Sequence, residues 1–184
     1  MSSSDPSLFR RGQGLVARLM VRASVAASAM LLAACTVQPL YAPAPSGASV
    51  TTAFSRITID PVDNRVAQVL RNKLIFDLNG GAQPASPIYR MRLNVSSAES
   101  ALGVTPIEAA PAYSLTVSAT YEVTSISTGE IVLRGTSRGT ASFDRVTQIY
   151  ANTRASLDAE DRAATQAADD IRIRLAAAAA KGTL

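Results

Sequence analysis

The chain has 184 residues, 47% of them hydrophobic but only 5% aromatic, with one Cys and neither Trp nor His. That length supports one domain with appendages. The lack of His removes the commonest general base and zinc ligand, and the single Cys excludes an internal disulfide or a thiolate-rich metal site. The formal charge of +4 sits almost wholly in residues 1–34, where Arg10, Arg11, Arg18 and Arg22 face only Asp5. The remainder balances 14 basic against 13 acidic side chains, with no basic run to hold nucleic acid.

Residues 23–34, ASVAASAMLLAA, are an uncharged run of 12 behind a basic flank. As a helix they would span about 18 Å, short of the roughly 30 Å hydrocarbon core of a bilayer. A basic flank, a short apolar run and small residues at its end predict a secretory signal peptide over 1–34. Arg10-Arg11 hints at twin-arginine export, but the following residues fit that poorly. Leu32-Ala33-Ala34-Cys35 resembles the bacterial lipobox, which makes Cys35 the lipidated first residue of the mature chain. The alternative is an ordinary signal peptide cleaved nearby, with an incidental Cys. Stable anchoring needs more than one acyl chain, and a triacylated Cys meets that need. Thr36, where enteric lipoproteins kept in the inner membrane carry Asp, favours the outer membrane by resemblance.

Residues 35–54 read as the lipidated Cys and an extended tether. The stretch 36–53 is rich in Pro and small residues, and Leu40 and Tyr41 offer a docking point within it. One domain is expected over 55–184. Its first strand is Ser55–Asp60, closed by Pro61. Asp63 is placed as the N-cap of a helix to about Leu78, with Val66, Val69, Leu70 and Leu74 on one stripe, ended by Gly80-Gly81. Ile88–Ser97 alternates Tyr89, Met91, Leu93 and Val95 against Arg90, Arg92, Asn94 and Ser96, a strand with one polar face. A breaker-rich loop at 103–112 leads to a second alternating run, Ala112–Ser125. A Ser127–Glu130 turn then leads to a return strand, Ile131–Phe143. There Ile131 and Leu133 are expected inward, Arg134, Thr136 and Arg138 outward, and Gly135 and Gly139 mark bulges or close packing.

The last helix is expected from about Ser156 to Ala180, with Leu157, Ala164, Ala168, Ile171, Leu175 and Ala178 inward. Asp158, Glu160 and Asp161 would then lie in its first turns and Arg172, Arg174 and Lys181 near its end, matching the helix dipole, with Gly182 as cap. The order β-α-β-β-β-α, with one-sided strands and two amphipathic helices, predicts an α+β two-layer sandwich. Its sheet has four strands, mostly antiparallel, with both helices on one face.

Cys35 followed closely by Gln38-Pro39-Leu40-Tyr41, together with this element order, resembles the LPS-assembly lipoprotein family LptE in its alphaproteobacterial form. Thr36-Val37 stands where many relatives have Gly-Phe, and the tail is unusually rich in Ala. The resemblance implies a non-catalytic subunit, lipid-anchored on the periplasmic side of the outer membrane, that partly plugs the β-barrel LptD and helps place lipopolysaccharide in the outer leaflet. It implies no cofactor beyond the covalent lipid on Cys35.

Arg suits the phosphates of lipopolysaccharide through forked hydrogen bonds. Arg90 and Arg92 on one strand, and Arg134 and Arg138 on another, are therefore the candidate contacts to lipopolysaccharide or the barrel wall; the plain alternative is a solvated sheet face. Leu40 and Tyr41 are candidate contacts of the tether. The acids of the last helix do not converge as metal ligands, so no metal site is expected. Two other functions compete. One is a periplasmic lipoprotein adaptor for another envelope protein, such as a cell-wall synthase activator. The other is a lipid-anchored hydrolase, which lacks a nucleophile-and-base pair.

Overall fold

The structure, a computed structural model, describes residues 50–102 and 112–184. The expected signal peptide, Cys35, Leu40, Tyr41 and the loop at 103–111 lie outside the described residues. The elements are α1 (Val50–Phe54), β1 (Ile57–Ile59), α2 (Arg65–Asn79), β2 (Tyr89–Leu102), β3 (Ala112–Ser125), β4 (Ile131–Asp144) and α3 (Ile149–Ala180). The sheet order is β1-β2-β3-β4. β1 runs parallel to β2, and the other two pairings are antiparallel. This is the expected four-stranded, mostly antiparallel α+β sheet, and α1 adds a third helix to the two expected.

The odd-numbered side chains of the long strands turn to the core. Met91, Val95, Leu115, Val117, Ala119, Tyr121, Val123, Ala141 and Phe143 are all buried there. α2 contributes Val66, Leu70, Leu74 and Leu78 to the same cluster, and α3 contributes an alanine face. Ala159, Ala163, Ala164, Ala167 and Ala168 are fully buried, with Ile171 and Leu175 beyond them. So small a face lets the helix lie unusually close to the sheet. A Cβ added at Gly139 of β4 would stand 1.9 Å from the carbonyl oxygen of Ala163. The close packing expected at the two glycines is thus real, whereas the bulge lies elsewhere. Buried Ser137 completes the seam by donating its hydroxyl to the Ala167 carbonyl at 2.9 Å.

Five local expectations are corrected. The tether expected over residues 35–54 ends in a helix, Val50–Phe54, whose Val50, Ala53 and Phe54 are buried. The N-cap of α2 is Asn64, not Asp63. Asn64 Oδ1 accepts from the Ala67 amide at 2.7 Å, and its Nδ2 donates to the Val95 carbonyl, which Asp63 could not do. β2 runs on to Leu102, past the point where its burial alternation stops, carried by its pairing with β3.

α3 begins at Ile149, seven residues before Ser156, so Asp158, Glu160 and Asp161 are not in its first turn and the dipole argument for them fails. They make ion pairs instead: Arg65 with Glu160 and Asp161, and Arg162 with Asp158. At the other end Gly182 caps as expected, at φ 74°, with Thr183 N–H donating to the Ala178 carbonyl. Finally, Ile131 is exposed. The register slips by one residue between Val123 and Thr124, so Leu133 faces Val123 but Ile131 faces Thr124. Val132 is the extra residue, and Ile131 is carried to the uncovered face.

Candidate functional site

The face of the sheet away from the helices carries the even-numbered side chains. Ser96, Ser114, Thr116, Ser118, Thr120, Thr136, Thr140 and Ser142 make most of it a hydroxyl surface. Cross-strand neighbours there include the Thr116–Thr140 and Thr120–Thr136 hydroxyl pairs, each 3.5 Å apart. Strand alternation produces this division, since the long helices among the described residues pack on the other face.

The charges gather at one end. The register sets Arg92 opposite Glu122 and Glu122 opposite Arg134, a row of cation, anion and cation across three strands. Arg90 stands two residues from Arg92, opposite Thr124. Asp60, just after β1, lies 3.6 Å from Arg90 Nε and 3.7 Å from Arg92 Nε. These are long, solvent-exposed pairs that hold the side chains weakly, so both guanidinium groups remain available to a stronger anion.

Arg90, Arg92, Glu122 and Thr124 line a recess of about 380 Å³ together with Ile126 and Ile131. The bulge at Val132 is what delivers Ile131 to it. The recess therefore offers two cationic forks beside two exposed isoleucines, a match for an amphiphile with a charged head and an apolar part.

Of the four candidate arginines, the structure brings Arg90 and Arg92 together and places Arg134 next to them through Glu122. Arg138 lies opposite Ser118, four residues along β4 from Arg134, about 14 Å away at ~3.4 Å per residue. It is not part of the recess. Sequence reasoning missed Ile126 and Ile131. Strand alternation puts Ile131 on the wrong face, and no residue in the turn announces the slip.

Among the described residues no group of His, Cys, Asp or Glu side chains could hold a metal ion. No helix among them is long and apolar enough to cross a membrane.

The family profile for LptE, described as lipopolysaccharide-assembly, matches residues 54–175, more than half of the chain. The chain belongs to the LptE family. The match spans all of the sheet and both long helices except the last turn of α3. It supports a role in lipopolysaccharide assembly and accounts for the element order read from the sequence. No curated protein matches the chain in sequence.

Solved structures with the same fold include a candidate lipoprotein from Caulobacter crescentus, with 25% identity and a TM-score of 0.61. That similarity covers 72% of this chain and 96% of the other. A minor lipoprotein from Acinetobacter baumannii is 13% identical with a TM-score of 0.55, over 67% and 92% of the two chains. The rare lipoprotein B from Shewanella oneidensis is 17% identical with a TM-score of 0.50, over 68% and 94%. The last two are similar in fold alone.

Proposed function

We propose that this LptE-family chain is a binding subunit without catalytic chemistry. In this reading it is anchored in the outer membrane on its periplasmic side through lipid on Cys35. The domain sits in the lumen of the β-barrel LptD, where lipopolysaccharide is passed to the outer leaflet. The observation that carries this reading is the family match over residues 54–175.

The division of the sheet supports it. The lumen of a large outer-membrane barrel is polar. A domain lodged there needs a core of its own and an exterior of hydrogen-bonding groups. The buried odd-numbered face and the hydroxyl-rich even-numbered face provide both. Arg90 and Arg92 would take a phosphate of lipopolysaccharide, with Ile126 and Ile131 beside its apolar part. Arg134 and Arg138 are placed as contacts to lipopolysaccharide or the barrel wall, and Leu40 and Tyr41 as contacts made by the tether.

The deciding experiment is recovery of the tagged mature chain from detergent-solubilised outer membranes. Co-purification of a large β-barrel with lipopolysaccharide is the expected result. Recovery of peptidoglycan enzymes alone would replace this reading with the adaptor role. Lipopolysaccharide binding by Arg90→Ala/Arg92→Ala should fall, and that of Arg138→Ala should change little. Equal binding by wild type and the double variant would remove the recess as the lipid site.

A further inference from the structure

A sheet edge exposes backbone donors and acceptors that can pair with another strand, and proteins usually blunt it. Here most of the blunting is done by side chains. At β1, Gln83 Nε2 donates to the Ile59 carbonyl and Gln83 Oε1 accepts from the Ile59 amide. Arg71 covers the carbonyls of Ile59 and Asp60. At the far end of β4, Gln166 Oε1 accepts from the Thr140 amide at 2.8 Å, and Arg162 donates to the Ser142 carbonyl at 3.0 Å. Both capping residues project from α3, which runs alongside that edge.

The caps stop there. The register turns the N–H and C=O of Arg134, Thr136 and Arg138 to the same side as those of Thr140 and Ser142. No hydrogen bond to these three backbone positions, and no ion pair to Arg134 or Arg138, is formed at this edge among the described residues. Ile173 follows Gln166 by seven residues and so stands on the same face of α3, two turns along. It is 49% exposed. Where Gln166 caps the edge, Ile173 can only offer an apolar surface.

We propose that the edge of β4 at Arg134–Arg138 receives an extended segment of a partner protein, which adds a fifth strand to the sheet. The segment has acidic residues at two positions four apart, a small polar residue midway, and apolar residues between them. The acids would lie opposite Arg134 and Arg138 on the uncovered face, the polar residue opposite Thr136, and the apolar pair toward Ile173. The pattern reads the same in both directions, so a parallel and an antiparallel segment both fit.

A second copy of this chain fits badly. Antiparallel pairing of two β4 edges about Thr136 would set Arg134 of each copy against Arg138 of the other, and like charges directly opposite destabilise a pair. Among the described residues the edge of β2 beyond Val95 also lacks a strand partner. However, its flanking Ser96, Ala98 and Ser100 carry no charge to select one. The proposal goes beyond the lipopolysaccharide role and does not depend on it, because its probe is a lipid-free peptide.

The test uses the full chain and a nine-residue synthetic peptide with Glu-Val-Thr-Val-Glu at its centre. Its controls are the same peptide with both Glu replaced by Lys, and one N-methylated at all five central amides, which blocks pairing in either direction. At a peptide concentration ten times that of half-saturation, the amides of Arg134, Thr136 and Arg138 should exchange with solvent about tenfold more slowly. N-methylation should abolish this. Arg134→Glu/Arg138→Glu should bind the Glu peptide about tenfold or more weakly and gain affinity for the Lys peptide. A misfolded variant could not make that exchange of preference.

Unchanged exchange at the three amides would overturn the proposal. So would equal binding of the Glu and Lys peptides, or indifference to N-methylation. Protection of the same amides by self-association without peptide would also overturn it, in favour of a second copy.

Discussion

The alanine face of α3 against Gly139 makes a sharp energetic claim. In Gly139→Ala the new methyl carbon would meet the Ala163 carbonyl oxygen at 1.9 Å, the Ala163 carbonyl carbon at 2.8 Å and the Ala167 amide nitrogen at 2.9 Å. Ordinary contact begins near 3.4 Å, so the helix must withdraw by about 1.5 Å, and these are backbone atoms that no rotamer change can move. Withdrawal loosens the whole seam of fully buried alanines, and it stretches the Ser137 hydroxyl bond to Ala167. Overpacking a tight core costs about 1–3 kcal/mol, and a rigid backbone puts this case near the top, about 3 kcal/mol. For a domain of this size that is a fall in Tm of roughly 10 °C.

Gly135→Ala is the internal comparison. Its methyl would meet the hydroxyl end of Tyr121 at 2.6 Å, a side chain that can tilt away, so it should cost less. Urea unfolding followed by circular dichroism measures both. A cost below about 1 kcal/mol for Gly139→Ala, or a larger cost for Gly135→Ala, would refute the account of a helix wedged on the strand by its small residues.

Other expectations follow from single contacts. Asn64→Ala removes both the cap of α2 and the bond to the Val95 carbonyl and should cost about 2 kcal/mol, whereas Asn64→Asp keeps the cap and should cost about half as much in the same unfolding assay. Ile171→Ala should cost about 2–5 kcal/mol because Ile171 is fully buried, while Ile173→Ala, two residues on, should stay within about 0.5 kcal/mol.

Stability should also decline in alkali. The hydrogen bond to Asp77 raises Lys73 above its ordinary 10.5, and burial raises Tyr121 above its ordinary 10.0. In both cases the folded state keeps a proton that the unfolded chain releases first. Their contribution is therefore intact below about pH 10 and is lost as pH rises through the raised values. Tyr121→Phe should flatten part of that decline in the denaturation midpoint between neutral pH and about pH 11. An unaltered slope would mean that the phenol takes no part in it.

What the sequence disclosed and what it hid divide along one physical line. Wherever burial imposed a period it was legible: odd against even residues in β3 and β4, the stripe of α2, the small residues of α3 and the glycine of β4 facing them. Where a segment is held without burying a stripe, nothing in its composition marks it. The first turns of α3 carry exposed Ile149 and Tyr150. They are secured by Asn152, whose amide side chain reaches back to both the N–H and the C=O of Val146. The distal half of β2 is exposed on both faces and exists because β3 pairs with it.

The candidate site straddles that line. Arg90 and Arg92 could be read from alternation, and Arg134 could be placed on the same face. However, the recess beside Arg90 and Arg92 depends on one slipped residue at Val132, which turns Ile131 from an intended core position into an apolar wall. A restored register would return Ile131 to the helix side and leave the arginines on a plain polar sheet. Replacing Ile126 and Ile131 together by Ser is thus a direct way to separate the two readings of those arginines, because it removes the apolar wall and leaves every charge in place. If the recess binds the lipid, Ile126→Ser/Ile131→Ser should lose lipopolysaccharide affinity with Arg90 and Arg92 intact. If charge alone suffices, its affinity should match that of the wild type at equal ionic strength.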